Sequence, residues 1–251
     1  MNRIVYEISH PIRAFSMTHM LFLWIPIICA IILAVFVSRK YGYNKKVIWT
    51  CLVIGLLCEM EKIAFFVVET EGGFRLPPNH LPFNLCPMQI ILLFFLAFSE
   101  SIEKSRKLIA FMFPTMIAGA FMGMLIPEAI HFHGLAEFAT YRYFFYHGMV
   151  VFCGFYLYFS KPFEYNIKDY GMTIFLLFCM LIAGVWVNAF FGWDPDVNHM
   201  FLVRPSLPNL PVLNLDNGYV VYIRNIILLG FVLISSCYLP VIIRTFRKKS
   251  K

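Results

Sequence analysis

The sequence predicts an all-α membrane protein: a bundle of seven transmembrane helices, with the N-terminus outside and the C-terminus in the cytoplasm. Three observations carry this reading. Of 251 residues, 60% are hydrophobic and 14% charged, with a mean hydropathy of +0.73, whereas a soluble domain is about 25% charged and about half apolar. Seven stretches approach the ~20 apolar residues that cross a bilayer. The Lys and Arg residues, finally, fall unevenly on alternate connections.

The first span, 18–38, follows MNRIVYEISHPIRAFSM, which has no continuous apolar run before a small-residue cleavage site. A cleavable signal peptide is therefore not expected, and the helix is retained. The second span, 47–69, is apolar except for Glu59, Glu61 and Lys62 near its end. The third, 86–99, is the shortest and opens with Cys86 and Pro87. The fourth, 107–126, carries Gly119 and Gly123, a small-xxx-small pair that lets another helix approach closely within the bundle. The fifth, 141–159, begins in a cluster of rings (Tyr141, Tyr143, Phe144, Phe145, Tyr146) of the kind that anchors at the membrane interface. The sixth, 170–192, and the seventh, 222–244, flank the longest connection, in which a short interfacial or re-entrant segment fits. No linker, low-complexity run or internal repeat breaks the pattern, so residues 1–251 read as a single polytopic membrane domain.

Orientation follows from charge. With the first connection cytoplasmic, fourteen of the 21 Lys and Arg residues lie on that side, six lie opposite, and Lys62 lies inside a span. Positive residues stay on the cytoplasmic side during insertion. These cations are short flanks of spans rather than one interleaved patch, so nucleic-acid binding is excluded despite the net charge of +7. Cell-membrane localisation, most simply a bacterial plasma membrane, is expected. Six of the seven cysteines fall inside spans as small apolar side chains, and no disulfide framework is indicated. His131 and His133 are two apart on a loop without zinc-like partners, so no metal and no cofactor is expected.

The segment most suggestive of chemistry is HLPFNLCPMQ, His80 to Gln89. Pro87 suits the first helical position, which places Cys86 at the N-cap. There a thiol faces unpaired backbone N–H groups and the positive end of the helix dipole, which favour nucleophilicity; a small residue tolerated at a helix start is the plainer alternative. A nucleophilic cysteine needs a base. His147, six residues after Tyr141, lies ~9 Å below the outer end of its helix and shares a leaflet with Cys86, whereas His19 opens the first span. Ionisable groups at membrane depth cost ~2.5 to 3.5 kcal/mol each. Glu59 and Lys62, three apart on one face, suit an internal ion pair, although Glu59 could also orient a histidine or join an ion path. Asn188 and Asn198 add polar groups at the outer end of the sixth span, where buried amides usually satisfy neighbouring backbone.

Taken together, FSMTHMLFL, LCEMEK, LPFNLC, IPE, FFYHG, VNAFFGWDPDVNHMFLVRP and YLP, in this order and over nearly the whole chain, resemble the YwaF-like membrane proteins, whose animal relative is transmembrane protein 164. The resemblance implies a seven-helix bundle. For the animal member it implies CoA-independent acyl transfer between phospholipids by a Cys nucleophile and a His; carried onto this sequence, these are Cys86 and His147. Many bacterial members have His two residues before the cysteine, where this chain has Asn84, a residue able to donate a hydrogen bond to an oxyanion. The expected activity is thus that of a phospholipid acyltransferase at the outer leaflet, with membrane phospholipid and lysophospholipid as partners. A small transporter or channel using Glu59, Glu61 and Lys62, and a non-catalytic membrane partner protein, are the alternatives.

Overall fold

The computed structural model describes residues 12–70, 73–126, 137–207 and 210–249; the expectations for the extreme N-terminus and for His131 and His133 lie outside them wholly or in part. Among the described residues the chain is a helical bundle: α1 (Met17–Tyr41), α2 (Lys45–Phe66), α3 (Leu85–Phe98), α4 (Arg106–Leu125), α5 (Phe138–Phe159), α6 (Ile167–Phe190) and α7 (Tyr219–Lys249). A two-stranded antiparallel hairpin, β1 (Val68–Thr70) with β2 (Gly73–Arg75), pairs Val68 with Arg75 between α2 and α3. Single 3-10 turns occur at Pro78–His80 and His199–Phe201.

Several helices start where a side chain can satisfy their orphan N–H groups. The Ser16 hydroxyl accepts from His19 N at 3.2 Å, and Asn44 accepts from Lys46 N at 2.8 Å. Asn166 and Asp169 form a reciprocal capping box at α6. Arg106 then grips Asp169 with two bonds, 3.0 Å from Nε and 2.7 Å from Nη2, which ties α4 to α6 at the basic end of the bundle.

Four helices, α1, α4, α6 and α7, are long and apolar enough to cross a membrane, and α3 is a shorter apolar helix. The chain is a multi-pass helical membrane protein. Burial separates inner from outer helices: 61% of the most apolar stretch of α4 is buried, against 22%, 17% and 17% for α1, α6 and α7. Large apolar side chains on those outer helices, such as Ile32, Phe175 and Phe231, are exposed; such surface is stable against lipid rather than water. The second central element is α5, which packs against α1, α4, α2 and α3. Its many tyrosines lower its hydropathy, yet Phe144, Val150, Cys153, Tyr156 and Leu157 are all nearly inaccessible.

Candidate functional site

The site lies at the end of the bundle where α3 begins and α2, α4 and α6 finish. The structure starts α3 two residues earlier than the sequence suggests: Asn84 is the N-cap, Cys86 the second helical residue and Pro87 the third. Every N–H of a first turn lacks an intrahelical partner, so proline fits there as well as at the first position. The thiol still belongs to the first turn.

Cys86 and His147 reach the same stripe of α4, and the two glycines explain how. A Cβ added to Gly119 would lie 2.8 Å from Leu85 Cδ2 and 3.7 Å from Cys86 Sγ. One added to Gly123 would lie 3.0 Å from His147 Nε2 and 3.1 Å from its Cδ2. Helical positions four apart are neighbours on one face, with Cβ atoms ~5–6 Å apart. The sulfur and the imidazole therefore meet adjacent turns of α4, in space that only glycine leaves open.

The imidazole is fixed by its own helix. Its Nδ1 lies 2.8 Å from the Tyr143 carbonyl one turn earlier, so Nδ1 carries the proton and Nε2 is left as an acceptor. The Tyr143 hydroxyl donates to the Gly123 carbonyl, and its ring lies 4.2 Å from the imidazole. Next to His147, the buried Tyr146 donates its hydroxyl to the Cys86 carbonyl at 2.7 Å, binding α5 to the first turn of α3. Tyr143, Tyr146 and the glycine pair were not assigned to the site from sequence. The signal available was the spacing of four between Tyr143 and His147 and between Gly119 and Gly123.

Asn84 makes no capping bond with its side chain. Its Oδ1 accepts instead from Met200 N at 2.7 Å, leaving the NH2 as the donor the amide has to offer. Met200 and its neighbour Phe201 both have φ of +57°, a left-handed backbone that costs a non-glycine residue about 1–3 kcal/mol. The Asn84 bond and a 2.6 Å bond from Tyr222 OH to the Phe201 carbonyl hold them there.

The remaining polar residues fall into two groups. Around the mouth, Glu59 pairs with Lys62, as their spacing suggests, and Glu61 pairs with Arg142 of α5. Lys62 also donates to the His80 carbonyl at 3.1 Å, and the His80 ring stacks on Phe66 at 3.8 Å. The His80 imidazole is pushed down to about 4 by burial first, and then by the positive charges of Lys62 and Arg142. The second group holds backbone. His19 is fully buried, accepts from Phe15 N at 2.9 Å and contacts the Met124 carbonyl at 2.8 Å, joining α1 to the end of α4. Asn188 donates to the carbonyls of Gly184 and His199 and accepts from His199 N. Asn198 fastens Val203 and Arg204 in the same way. These three organise the site's surroundings.

Cys86, His147, Asn84, Glu59, Lys62 and Arg142 all line one cavity of about 380 Å³ whose deeper wall is apolar. An acceptor nitrogen, a thiol and an amide NH2 thus lie at the polar end of an apolar cavity. Among the described residues, no cluster of His, Cys, Asp or Glu is arranged to hold a metal ion. In comparison with known proteins, the family model described as the TMEM164 family matches residues 14–238. No curated protein and no solved structure matches the chain.

Proposed function

Because the chain belongs to the TMEM164 family, we propose that it is a membrane-embedded phospholipid acyltransferase, working without CoA through Cys86 and His147. The topology that goes with this reading has all seven helices crossing a bacterial plasma membrane, the N-terminus outside and the site in the outer leaflet. It is supported by the fourteen cations on the opposite connections and C-terminus. The strings LPFNLC and FFYHG support kinship with the YwaF-like members.

One arrangement carries the catalytic reading: Sγ of Cys86 and Nε2 of His147 turned toward adjacent glycine-lined turns of α4 in a single cavity. Nε2 takes the thiol proton as sulfur attacks the ester carbonyl of a bound phospholipid. A C–S bond forms, and the carbonyl oxygen gathers negative charge beside the Asn84 NH2 and the N–H groups of the first turn of α3. Collapse breaks the C–O bond, the lysolipid oxygen leaves with the proton held by His147, and an acyl-thioester remains. A second lysophospholipid then enters. Its hydroxyl gives a proton to Nε2 and attacks the thioester; the C–O bond forms, the C–S bond breaks, and the proton returns to sulfur. The bilayer delivers both lipids, so no soluble domain is required. Paired charges at Glu59–Lys62 and Glu61–Arg142 favour a structural role for that cluster over an ion path.

The test is transfer of labelled acyl groups from phosphatidylcholine to a lysophospholipid by purified protein, with Cys86→Ala and His147→Ala alongside. Loss of transfer in both variants, with folding retained, is expected. Equal transfer by wild type and Cys86→Ala rules out the thiol, and flux abolished by Glu59→Gln with Cys86→Ala harmless would favour the transporter.

A further inference from the structure

The cavity does not end at the polar residues. From Cys86 and His147 it continues between α4, α6 and α7, where its walls are Leu177 of α6 and Ile226, Leu229, Gly230, Leu233 and Ile234 of α7. These α7 positions recur at three- and four-residue steps and so form one stripe along the helix. Measured along α7 from Tyr222, which lines the cavity near its mouth, to Ile234, twelve residues span ~18 Å. One leaflet of hydrocarbon is ~15 Å thick, so the depth matches a full-length membrane acyl chain.

Along α7 the lining stops at Ile234. One turn beyond Ile234, Tyr238 donates to the Ala110 carbonyl at 2.9 Å and lies 3.2 Å from the Thr173 hydroxyl. Tyr170 and Ser235 are joined at 2.9 Å beside them. This hydrogen-bonded layer links α4, α6 and α7. Within the apolar stripe the narrowest side chain is Gly230. A Cβ there would meet only Leu177 Cδ2, at 3.8 Å, so the glycine leaves open space where any larger residue would project into the cavity.

We propose that this apolar cavity holds the acyl chain of the donor glycerophospholipid, with its ester at Cys86, and that Gly230 admits the distal half of the chain. The occupant follows from continuity, since the same cavity that presents the thiol is apolar beyond it. The inference rests on the acyl-transfer reading for its chemistry, but chain binding can be read without turnover.

Two measurements test it. In the first, transfer from dioctanoyl and dipalmitoyl phosphatidylcholine is compared for wild type, Gly230→Ala and Gly230→Phe. The phenyl group should lower transfer of the long chain by about tenfold or more while leaving the short chain within about twofold; alanine, which adds a single methyl to the cavity, should lower long-chain transfer by a smaller factor than phenylalanine does. In the second, phosphatidylcholine with a diazirine at the acyl terminus is photolysed on wild type and on Cys86→Ala. Labelling at Leu233, Ile234 or the Tyr238 layer in both proteins is expected, together with its loss in Gly230→Phe. Labelling confined to lipid-facing side chains such as Phe231 and Val232, or equal inhibition of both chain lengths by Gly230→Phe in a folded protein, overturns the proposal. If the interior labelling appears but no transfer occurs, the acyl cavity stands and the thiol reading falls. If transfer depends on Cys86 but interior labelling is absent, the thiol reading stands and the acyl cavity falls.

Discussion

Gly123→Ala is the most economical probe of the site, because it adds one carbon, removes no functional group and acts where the imidazole touches α4. The new Cβ would lie 3.0 Å from His147 Nε2 and 3.1 Å from Cδ2, whereas non-bonded contacts settle near 3.5–4.0 Å, so the ring must withdraw by about 0.5 to 1 Å. It cannot do so freely: its Nδ1 is held at 2.8 Å by the Tyr143 carbonyl, and Tyr143 is itself bonded to the Gly123 carbonyl. Overpacking of this kind costs about 1–3 kcal/mol, while a misplacement of about 1 Å in a reacting group costs roughly a hundredfold in rate. The expected result is therefore a kcat for acyl transfer about a hundredfold lower, a KM changed by no more than a few fold, and a modest fall in unfolding temperature in detergent. Gly171, helical and facing open space, is the control; Gly171→Ala should leave activity unchanged. A folded Gly123→Ala protein with kcat within about twofold of wild type would refute the placement of His147 as the base.

Three further outcomes follow from the geometry. Asn84→Asp keeps the acceptor for the Met200 N–H but removes the NH2, so acyl transfer should fall by about 10²-fold or more, the usual cost of one oxyanion donor, while stability changes little; rates near wild type would remove Asn84 from the mechanism. His19→Ala loses a buried ring and two backbone partners, one of them the Met124 carbonyl beside cavity-lining Gly123, and should lower stability by about 2 to 5 kcal/mol, as measured by thermal unfolding. The His80 imidazole, pushed down to about 4, and that of His199, also lowered by burial, stay neutral in the folded protein while the unfolded chain takes up protons below its ordinary value near 6.5. Stability should consequently be flat above about pH 6.5 and fall as the pH drops from there towards 4, with His80→Gln flattening part of the slope in a pH series of melting curves.

Short-range features were legible in the sequence, whereas those joining distant segments were not. The ion pair of Glu59 with Lys62 follows from a spacing of three on one helix, and the glycine pair on α4 already indicated close approach within the bundle. That this approach brings Leu85 and Cys86 to one glycine and His147 to the other could not be read, because the helices meet only after the chain folds. The partnership of Glu61 with Arg142 is hidden for the same reason. The sequence places the start of α3 two residues late, because proline suits any position of a first turn and so does not by itself mark the first one. Cys86, His147 and Asn84 could be named individually; the tyrosines that fix them could not, since a ring cluster at a membrane interface has the composition of an anchor whatever else it does.

The Glu61–Arg142 pair also bears on how the protein is made. On the proposed topology, α2 carries three ionisable groups into the bilayer and α5 carries Arg142, and neither is among the four helices that are long and apolar enough to cross a membrane by length and composition. Glu59 and Lys62 neutralise each other within α2, but Glu61 has its cation on a helix that begins only at Phe138. At roughly 5–20 residues per second of synthesis, α2 must wait several seconds for that partner. On that topology, α2 enters the bilayer with Glu61 still unpaired, and the pair that fixes α2 against α5 is completed only after α5 has been made.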